Sequence, residues 1–204
     1  MGQINIDTKF GKYLYDLAAN DQYKVFVEVG TWNGQGSTRC LISGIVGFNP
    51  NAKLYSLEAN ANMFNQAKSF WSNCPRQLHL IHGVLHKKQL MLDEIEKHPM
   101  YYKLLENGDK YKTWLLNDIQ DMQQINIFNI EEDNVDVIVL DGGEFSTHGD
   151  WEVLQKKNPK IVCLDDSNVL KTYDIRNELL HSKDWEVVVD EQADRNGWCV
   201  FKRR

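Results

Sequence analysis

The sequence has no long apolar run and no excess of basic residues. Its apolar stretches reach about six residues, whereas a membrane-spanning helix needs roughly 20. Lys and Arg number 23 against 29 Asp and Glu, for a net charge of −6, and proteins that bind a phosphate backbone usually carry a basic surface. We therefore expect no membrane span and no nucleic-acid partner. The N-terminal MGQINIDTKF has neither a basic nor an apolar leader region, so we expect no secretory signal.

Cysteine and proline are also scarce. The four cysteines, Cys40, Cys74, Cys163 and Cys199, form no CxxC pair, and we expect buried free thiols in a reducing, cytoplasmic compartment. Four scattered prolines, with no repeat and no Pro/Gly-rich linker, predict a single domain over residues 1–204.

Short apolar runs alternate with longer amphipathic runs. This alternation predicts an α/β fold with a mainly parallel sheet and helices on both faces. Strands are predicted at 24–29, 53–57, 78–82, 135–140, 160–164, 185–189 and 198–201, and helices at 37–46, 61–71, 147–155 and 169–181. The last two strands are separated by a short turn, so they should pair antiparallel at one edge.

Residues 87–134 are too long for a simple crossover. This polar and aromatic stretch is predicted to be helical in pieces, at 89–97, 100–106 and 113–123. We interpret it as an insertion over the carboxyl ends of the strands; the alternative is a decorated crossover without function.

The most informative motif is the run 28–38, EVGTWNGQGST. A strand ending in Glu28 is followed by a Gly-rich turn and a helix beginning with Ser37 and Thr38. Glycines allow a ligand to approach the backbone, and a helix start offers unpaired N–H groups. The spacing matches neither the dinucleotide fingerprint GxGxxG nor the P-loop. An acid at this place suits a cationic amino-acid moiety better than a pyrophosphate.

The motif resembles the first motif of class I S-adenosylmethionine-dependent methyltransferases. This resemblance covers residues 24–84 and 135–203 and implies a Rossmann-like, seven-stranded sheet of order 3-2-1-4-5-7-6 with the last strand antiparallel. It implies that Glu58, at the end of the second strand, accepts both ribose hydroxyls, as a carboxylate can. The cofactor-binding residues it implies are Glu28, Gly30, Thr31, Trp32, Gly34, Ser37, Thr38, Glu58, Ala59, Gly83, Val84 and Asp141.

Three carboxylates follow the fourth and fifth strands. Asp141 ends VIVLD, and Asp165 and Asp166 end KIVCLDD, so in a doubly wound sheet they should converge above the ligand crevice. Unpaired carboxylates repel each other, and a hard divalent cation such as Mg²⁺ would neutralise them. The alternative is that the aspartates cap the following helix and loop.

LDGGEFST, LDDSN and RNGWCVFKR resemble motifs of the Mg²⁺-dependent sugar O-methyltransferases of the macrocin type. The resemblance implies an O-methyltransferase acting on a sugar or glycan hydroxyl, with Mg²⁺ on Asp141, Asp165 and Asp166 and with Asp141 as the catalytic base. Gly143 departs from the family pattern, which has a second acid or a histidine there. Candidate acceptor contacts are Glu144, His148, Tyr101, Tyr102, Tyr111 and Trp114.

Two other functions are weighed against this one. A catechol-type small-molecule O-methyltransferase also uses an acid-rich site, and a binding module could keep the fold without the chemistry. A nucleic-acid N-methyltransferase is disfavoured because LDGGEF lacks the Asn/Asp-Pro-Pro-aromatic motif. The expected partner is a small-molecule or glycan acceptor, with a homo-oligomer or a larger glycan-synthesis protein as possible contexts.

Overall fold

The chain folds around one seven-stranded sheet of order β3-β2-β1-β4-β5-β7-β6. The computed structural model describes residues 4–204, so the first three residues of the N-terminal segment lie outside it. The strands are β1 (Val25–Val29), β2 (Lys53–Glu58), β3 (Leu78–His82), β4 (Val137–Leu140), β5 (Ile161–Asp165), β6 (Trp185–Glu191) and β7 (Trp198–Arg203). Neighbouring strands are parallel throughout the part of the sheet ordered β3-β2-β1-β4-β5. Strand β7 runs antiparallel to both β5 and β6. The predicted order and the antiparallel last strand are confirmed.

Eight helices surround the sheet in the described part of the chain. They are α1 (Lys9–Ala19), α2 (Ser37–Phe48), α3 (Ala61–Phe70), α4 (Leu92–Lys97), α5 (Tyr101–Leu105), α6 (Lys110–Gln124), α7 (Thr147–Leu154) and α8 (Leu170–His181), with a short 3-10 turn at Gln155–Lys157. All but α1 follow the predicted pattern to within a few residues.

Helix α1 is an element that the sequence analysis missed. Its local signal is present, because Thr8 caps the helix by accepting from the Gly11 backbone N–H at 3.1 Å. Phe10, Leu14 and Ala18 recur every four residues and are buried. The helix packs against α2, where a Cβ on Gly44 would lie 2.4 Å from a backbone oxygen of α1.

Apolar side chains cover both faces of the sheet. One buried cluster joins α1 and α2 to it through residues such as Leu14, Leu41 and Val139. The other cluster includes Trp151 of α7 and Ile175 of α8. The apolar runs of β4 and β5 are buried along their whole length, which explains why both strands are legible in the sequence.

The predicted insertion, residues 87–134, forms α4, α5 and α6 and has its own buried cluster, which includes Tyr111 and Leu115. We call this segment the cap. A bridge between Val84 and Ile127 returns it to the sheet, and the ammonium of Lys87 donates to backbone oxygens at the end of α6. Within residues 4–204, no helix has the length and apolarity that crossing a membrane requires.

All four cysteines are free thiols, and three of them are buried as expected. Cys74 is the exception and is exposed. It lies in the polar turn between α3 and β3, next to Pro75, where no element covers it.

Candidate active site

A cavity of about 860 Å³ opens at the carboxyl ends of β1, β2, β4 and β5. It brings together the Gly-rich turn of the 28–38 motif, which we call the glycine loop, the acids at the ends of β2, β4 and β5, and α6 of the cap. Its walls include most of the predicted site residues: Gly30, Thr31, Trp32, Ser37, Glu58, Ala59, Gly83, Val84, Trp114, Asp141, Glu144, Asp165 and Asp166.

Gly30 fixes the shape of the glycine loop. Its φ is +98°, and an added Cβ would lie 2.1 Å from the backbone oxygen of Asp141. The backbone N–H groups of Gly30 and Thr31 both donate to the Leu57 oxygen at 3.0 Å. The loop is therefore held between β2 and β4, and bare backbone lines the cavity where a ligand can approach closely.

Three predicted cofactor contacts lie behind the cavity wall and not in it: Glu28, Gly34 and Thr38. Glu28 is fully buried and accepts from the hydroxyls of Thr38 at 2.6 Å and Ser56 at 2.5 Å. Burial raises the pKa of Glu28 to about 6. These bonds tie the end of β1 to β2 and to the start of α2, so Glu28 acts here as a positioning residue. Gly34 instead packs against Trp71, whose indole N–H donates to the Gly34 oxygen at 2.9 Å.

Glu58 does line the cavity and is nearly buried. Its carboxylate accepts from the backbone N–H of Trp32 at 2.7 Å and of Asn60 at 2.8 Å. Burial raises its pKa to about 7. A carboxylate held by two backbone donors at the end of β2 suits a pair of neighbouring hydroxyls, and Trp32, at φ +52°, keeps the loop turned toward it.

The predicted convergence of three aspartates is confirmed. Asp141, Asp165 and Asp166 each have a carboxylate oxygen within 4.8 Å of the others. Asp165 is buried at the end of β5, and Asp166 has a left-handed backbone with φ +54°. A strained non-glycine residue at a strand end turns both carboxylates toward one point.

The chain itself supplies the counter-charges, which the sequence analysis did not foresee. The ammonium of Lys171 lies 2.9 Å from Asp141 Oδ1 and 2.6 Å from Asp166 Oδ2. The Arg195 guanidinium donates to Asp165 Oδ2 at 2.8 Å. Lys171 and Arg195 are therefore counter-charges that the expectation of a Mg²⁺ ion did not include. A sequence signal exists, since Lys171 falls in the first turn of the helix after LDDSN.

Burial and neighbouring charges set the pKa values of this cluster. Burial raises the pKa of Asp165 to about 7 and that of Glu144 to about 7. Burial alone would lower the pKa of Lys171, but Asp141 and Asp166 raise it well above its ordinary value. Burial alone would raise the pKa of Asp166, but Lys171, Asn196 and Arg195 together lower it.

Mg²⁺ does not fit the cluster as it is arranged. Three carboxylates are ligands that Mg²⁺ accepts, but two of them already share the ammonium of Lys171. A metal ion on the same oxygens would meet that positive charge at close range, so it would have to displace Lys171.

The cap contributes fewer acceptor contacts than predicted. Trp114 lines the cavity, whereas the Tyr101 and Tyr111 hydroxyls pair with each other at 3.0 Å in the cap interior. Tyr102 is 56% exposed and lies outside the cavity wall. His148 also lies outside it, 3.7 Å from Glu152 one helical turn away. The helical periodicity of α5 and α7 turns these side chains away from the strand ends.

Three acids of the cavity wall were missed: Asp118, Asp121 and Asp150. Burial raises the pKa of Asp118 to about 6, and its Oδ2 has no hydrogen-bond partner within the described residues. Asp121 accepts from the Asn60 side chain at 2.9 Å and so joins α6 to the end of β2. These acids sit in helices with no motif around them, so only the fold brings them to the site.

Asp150 faces His86, which also comes from a distant part of the chain. The Nε2 of His86 lies 3.3 Å from Asp150 Oδ1, and both side chains are nearly buried. The Lys88 backbone N–H donates to His86 Nδ1 at 2.9 Å, which leaves the imidazole proton on Nε2, toward Asp150. The pair supports α7 beneath the Asp141 loop.

No family model and no curated protein matches the chain. Solved structures do match it. A putative caffeoyl-CoA O-methyltransferase from Staphylococcus aureus superposes with a TM-score of 0.62 at 14% identity, over 98% of this chain and 85% of that one. An O-methyltransferase from Bacillus cereus in complex with SAH superposes with a TM-score of 0.60 at 16% identity, over 98% of this chain and 83% of that one. The O-methyltransferase TomG from Streptomyces achromogenes in complex with SAM superposes with a TM-score of 0.59 at 14% identity, over 98% of this chain and 82% of that one. The chain therefore has the Rossmann-like fold of these methyltransferases.

Proposed function

We propose that the chain is an S-adenosylmethionine-dependent O-methyltransferase. The observation that carries this proposal is a single cavity that joins two kinds of wall. One wall has the bare backbone at Gly30 and the carboxylate of Glu58, which suit the nucleoside and amino-acid parts of the cofactor. The other wall has the acids around Lys171, which suit a reacting hydroxyl. When bound, the cofactor supplies an electrophilic methyl group.

The acceptor hydroxyl needs a base, because its pKa is far above neutral. Asp141 is our proposed base: its backbone packs against Gly30 of the cofactor loop, and its side chain faces Lys171. Glu144 lines the same end of the cavity and accepts from the Lys171 backbone N–H at 3.2 Å. These groups can orient the hydroxyl and take its proton, and most of the acceleration would come from positioning.

The proposed acceptor is a sugar or glycan hydroxyl. The acceptor wall is acidic, and the buried Oδ2 of Asp118 is left without a donor from the described chain. A polyhydroxylated ring offers several donors to such a wall, whereas a catechol offers two hydroxyls on an otherwise apolar ring and would satisfy fewer carboxylates. Trp114 adds an aromatic face on which a sugar ring can stack.

Calorimetric titration of S-adenosylhomocysteine into the chain is the first test. Binding in the micromolar range supports the cofactor site, and absence of binding to folded protein overturns the proposal. Transfer of a labelled methyl group is then followed with deoxysugars, oligosaccharides and catechols. Transfer to sugars supports the acceptor class, transfer to catechols alone supports the small-molecule alternative, and binding without any transfer supports a binding module.

Asp141→Asn tests the base. Because the amide cannot accept the proton, we expect the methyl-transfer rate to fall by about 100-fold or more. Affinity for S-adenosylhomocysteine should stay within about twofold, since the Asp141 backbone contact with Gly30 is kept. Asp133→Asn, an exposed residue before β4, is the matched control and should leave both unchanged. Retained transfer in Asp141→Asn would remove Asp141 from this role.

A further inference from the structure

We propose that Lys171 holds the place and the role of a divalent cation, so that methyl transfer by this chain needs no metal ion. This inference rests on the proposed function, because it names the group that stabilises the acceptor oxygen. Its decisive measurement, cation binding, does not depend on turnover.

Lys171 is built into the carboxylate cluster. Its ammonium is within hydrogen-bond distance of Asp141 and Asp166, its backbone N–H donates to Glu144, and its side chain is only 11% exposed. One residue thus contacts three of the acids at the acceptor end of the cavity. A metal ion would bridge the same carboxylates.

The helix that carries Lys171 is fixed on both sides of it. Leu170 is buried in the apolar cluster of the cap, and the Thr172 hydroxyl donates to the Asp165 backbone oxygen at 2.8 Å. Since the neighbours are anchored to the cap and to β5, the backbone of Lys171 is fixed beside the cluster, and its ammonium lies between Asp141 and Asp166. Such preorganisation is what a fixed cation needs in order to act on developing charge.

Arg195 supplies the second counter-charge. It pairs with Asp165, and the Asn196 side chain donates to Asp166 Oδ1 at 3.0 Å. Arg195 has a left-handed backbone, with φ +56°, in the turn before β7. Every aspartate of the cluster therefore has a partner from this chain, and two positive side chains face three carboxylates. These partners occupy carboxylate oxygens that an external cation would need.

The ammonium has three N–H donors, and Asp141 and Asp166 account for two. Lys171 also lines the cavity, so the third donor can hold the acceptor oxygen. A cation at that place favours the negatively charged oxygen. The acceptor oxygen then bonds to the methyl carbon while the carbon–sulfur bond breaks, with its electron pair going to sulfur. The hydroxyl proton passes to the Asp141 carboxylate.

The test compares cation binding to wild type, Lys171→Ala and Lys160→Ala. Lys160, just before β5, pairs with Asp136 at 2.8 Å, so Lys160→Ala removes a more exposed lysine–aspartate pair outside the site. Binding of Mn²⁺ is followed by electron paramagnetic resonance and of Mg²⁺ by calorimetry. We expect no saturable binding to wild type or Lys160→Ala. Lys171→Ala should bind Mn²⁺ saturably, at least about tenfold more tightly than the detection limit set by wild type, because Asp141 and Asp166 lose their counter-charge.

Activity is the second readout. Wild-type transfer should be unchanged by EDTA, and Lys171→Ala should lose about 100-fold in rate while S-adenosylhomocysteine affinity is kept. Lys171→Arg keeps the charge and should retain more activity than Lys171→Ala, which separates a charge effect from misfolding. Saturable metal binding by wild type with loss of transfer on chelation overturns the inference, as does a Lys171→Ala variant that gains no metal affinity. If wild type fails to bind S-adenosylhomocysteine, the proposed function fails while the metal titrations remain readable.

Discussion

Gly30 is a residue of the cavity wall at which the backbone leaves no room for a side chain. Its φ of +98° disfavours other residues, and a Cβ would lie 2.1 Å from the Asp141 backbone oxygen. Gly30→Ala should therefore push the glycine loop off β4 and lower S-adenosylhomocysteine affinity by about 100-fold, with a loss of at least about 1 kcal/mol in unfolding free energy. Calorimetry and urea unfolding measure the two effects.

Gly47→Ala is the matched control. A Cβ on Gly47 meets nothing within 4 Å, and the residue lies in α2. Because alanine favours a helix more than glycine, we expect unchanged ligand affinity and up to about 1 kcal/mol of added stability. If Gly30→Ala and Gly47→Ala had equal S-adenosylhomocysteine affinity and equal unfolding free energy, the close contact at Gly30 would have no effect on the site.

Glu58 gives cofactor binding a pH dependence. Burial raises its pKa to about 7, and hydroxyl donors favour the ionised form. The fraction ionised rises with pH, so affinity for S-adenosylhomocysteine should increase about tenfold between about pH 6 and pH 8. Glu58→Gln should bind more weakly and lose this dependence. An identical pH profile in calorimetric titrations of both proteins would exclude Glu58 as its source.

Single residues differ in how far sequence predicts them. Gly30, Glu58, Asp141, Asp165 and Asp166 all follow apolar strands directly, and strand ends of a parallel sheet meet at one edge. Lys171, Arg195, Asp118 and Asp121 reach the same cavity from helices and from a turn. Their approach depends on helix packing and on the left-handed backbone in the β6–β7 turn. Apart from the place of Lys171 in the first helical turn after LDDSN, no local motif marks them.

At the scale of elements, a side-chain hydrogen bond joins α6 of the cap to the end of β2 beside the cavity. Asp121 accepts from the Asn60 side chain at 2.9 Å, and Asn60 also caps α3. Asp121→Ala should loosen the cap and raise amide exchange in α6, with a few-fold loss in S-adenosylhomocysteine affinity. Hydrogen-exchange mass spectrometry of peptides from the cap measures this.

Asp109→Ala supplies the control within the same segment. Asp109 precedes α6 and pairs with the exposed Lys112 at 2.7 Å, a surface pair of small energetic value. Exchange in α6 should rise much less in this variant. If Asp121→Ala also leaves exchange unchanged, the apolar cluster of the cap and the Lys87 hydrogen bonds hold α6 in place without Asp121.

The sheet was the part of the fold most open to prediction. Its central strands are short, continuous apolar runs that lie between turn residues. Both the apolar pattern and the length of such a run can be read from a few neighbouring residues of the sequence. Helix α1 had an equally local signal in Thr8 and the spacing of Phe10 and Leu14, but no apolar strand leads into it. The directions of Tyr102 and His148 depend on how short helices are rotated against the sheet, which sequence spacing alone does not fix.

At the scale of the whole molecule, the fold gathers buried carboxyls and raises their pKa values by burial. The groups and their pKa values are Glu28 at about 6, Asp118 at about 6, Glu58 at about 7, Glu144 at about 7 and Asp165 at about 7. In the unfolded chain these groups release their protons near pH 4 to 4.5. Between that range and their folded pKa values, the folded state holds more protons than the unfolded state.

Stability of the ligand-free chain should therefore fall as the pH rises from about 6 to 8. Each group with a folded pKa of about 7 contributes about 1 kcal/mol to this loss. Carboxyls with a lowered pKa, such as Asp136 and Asp190, lose their contribution only in more acidic solution and do not oppose it. Urea unfolding at the two pH values measures the change, and the double variant Glu58→Gln with Glu144→Gln should reduce it by about 2 kcal/mol, with Asp165 keeping its share. Stability that rises with pH in wild type would mean that these carboxyls are ionised in the fold and would contradict the prediction.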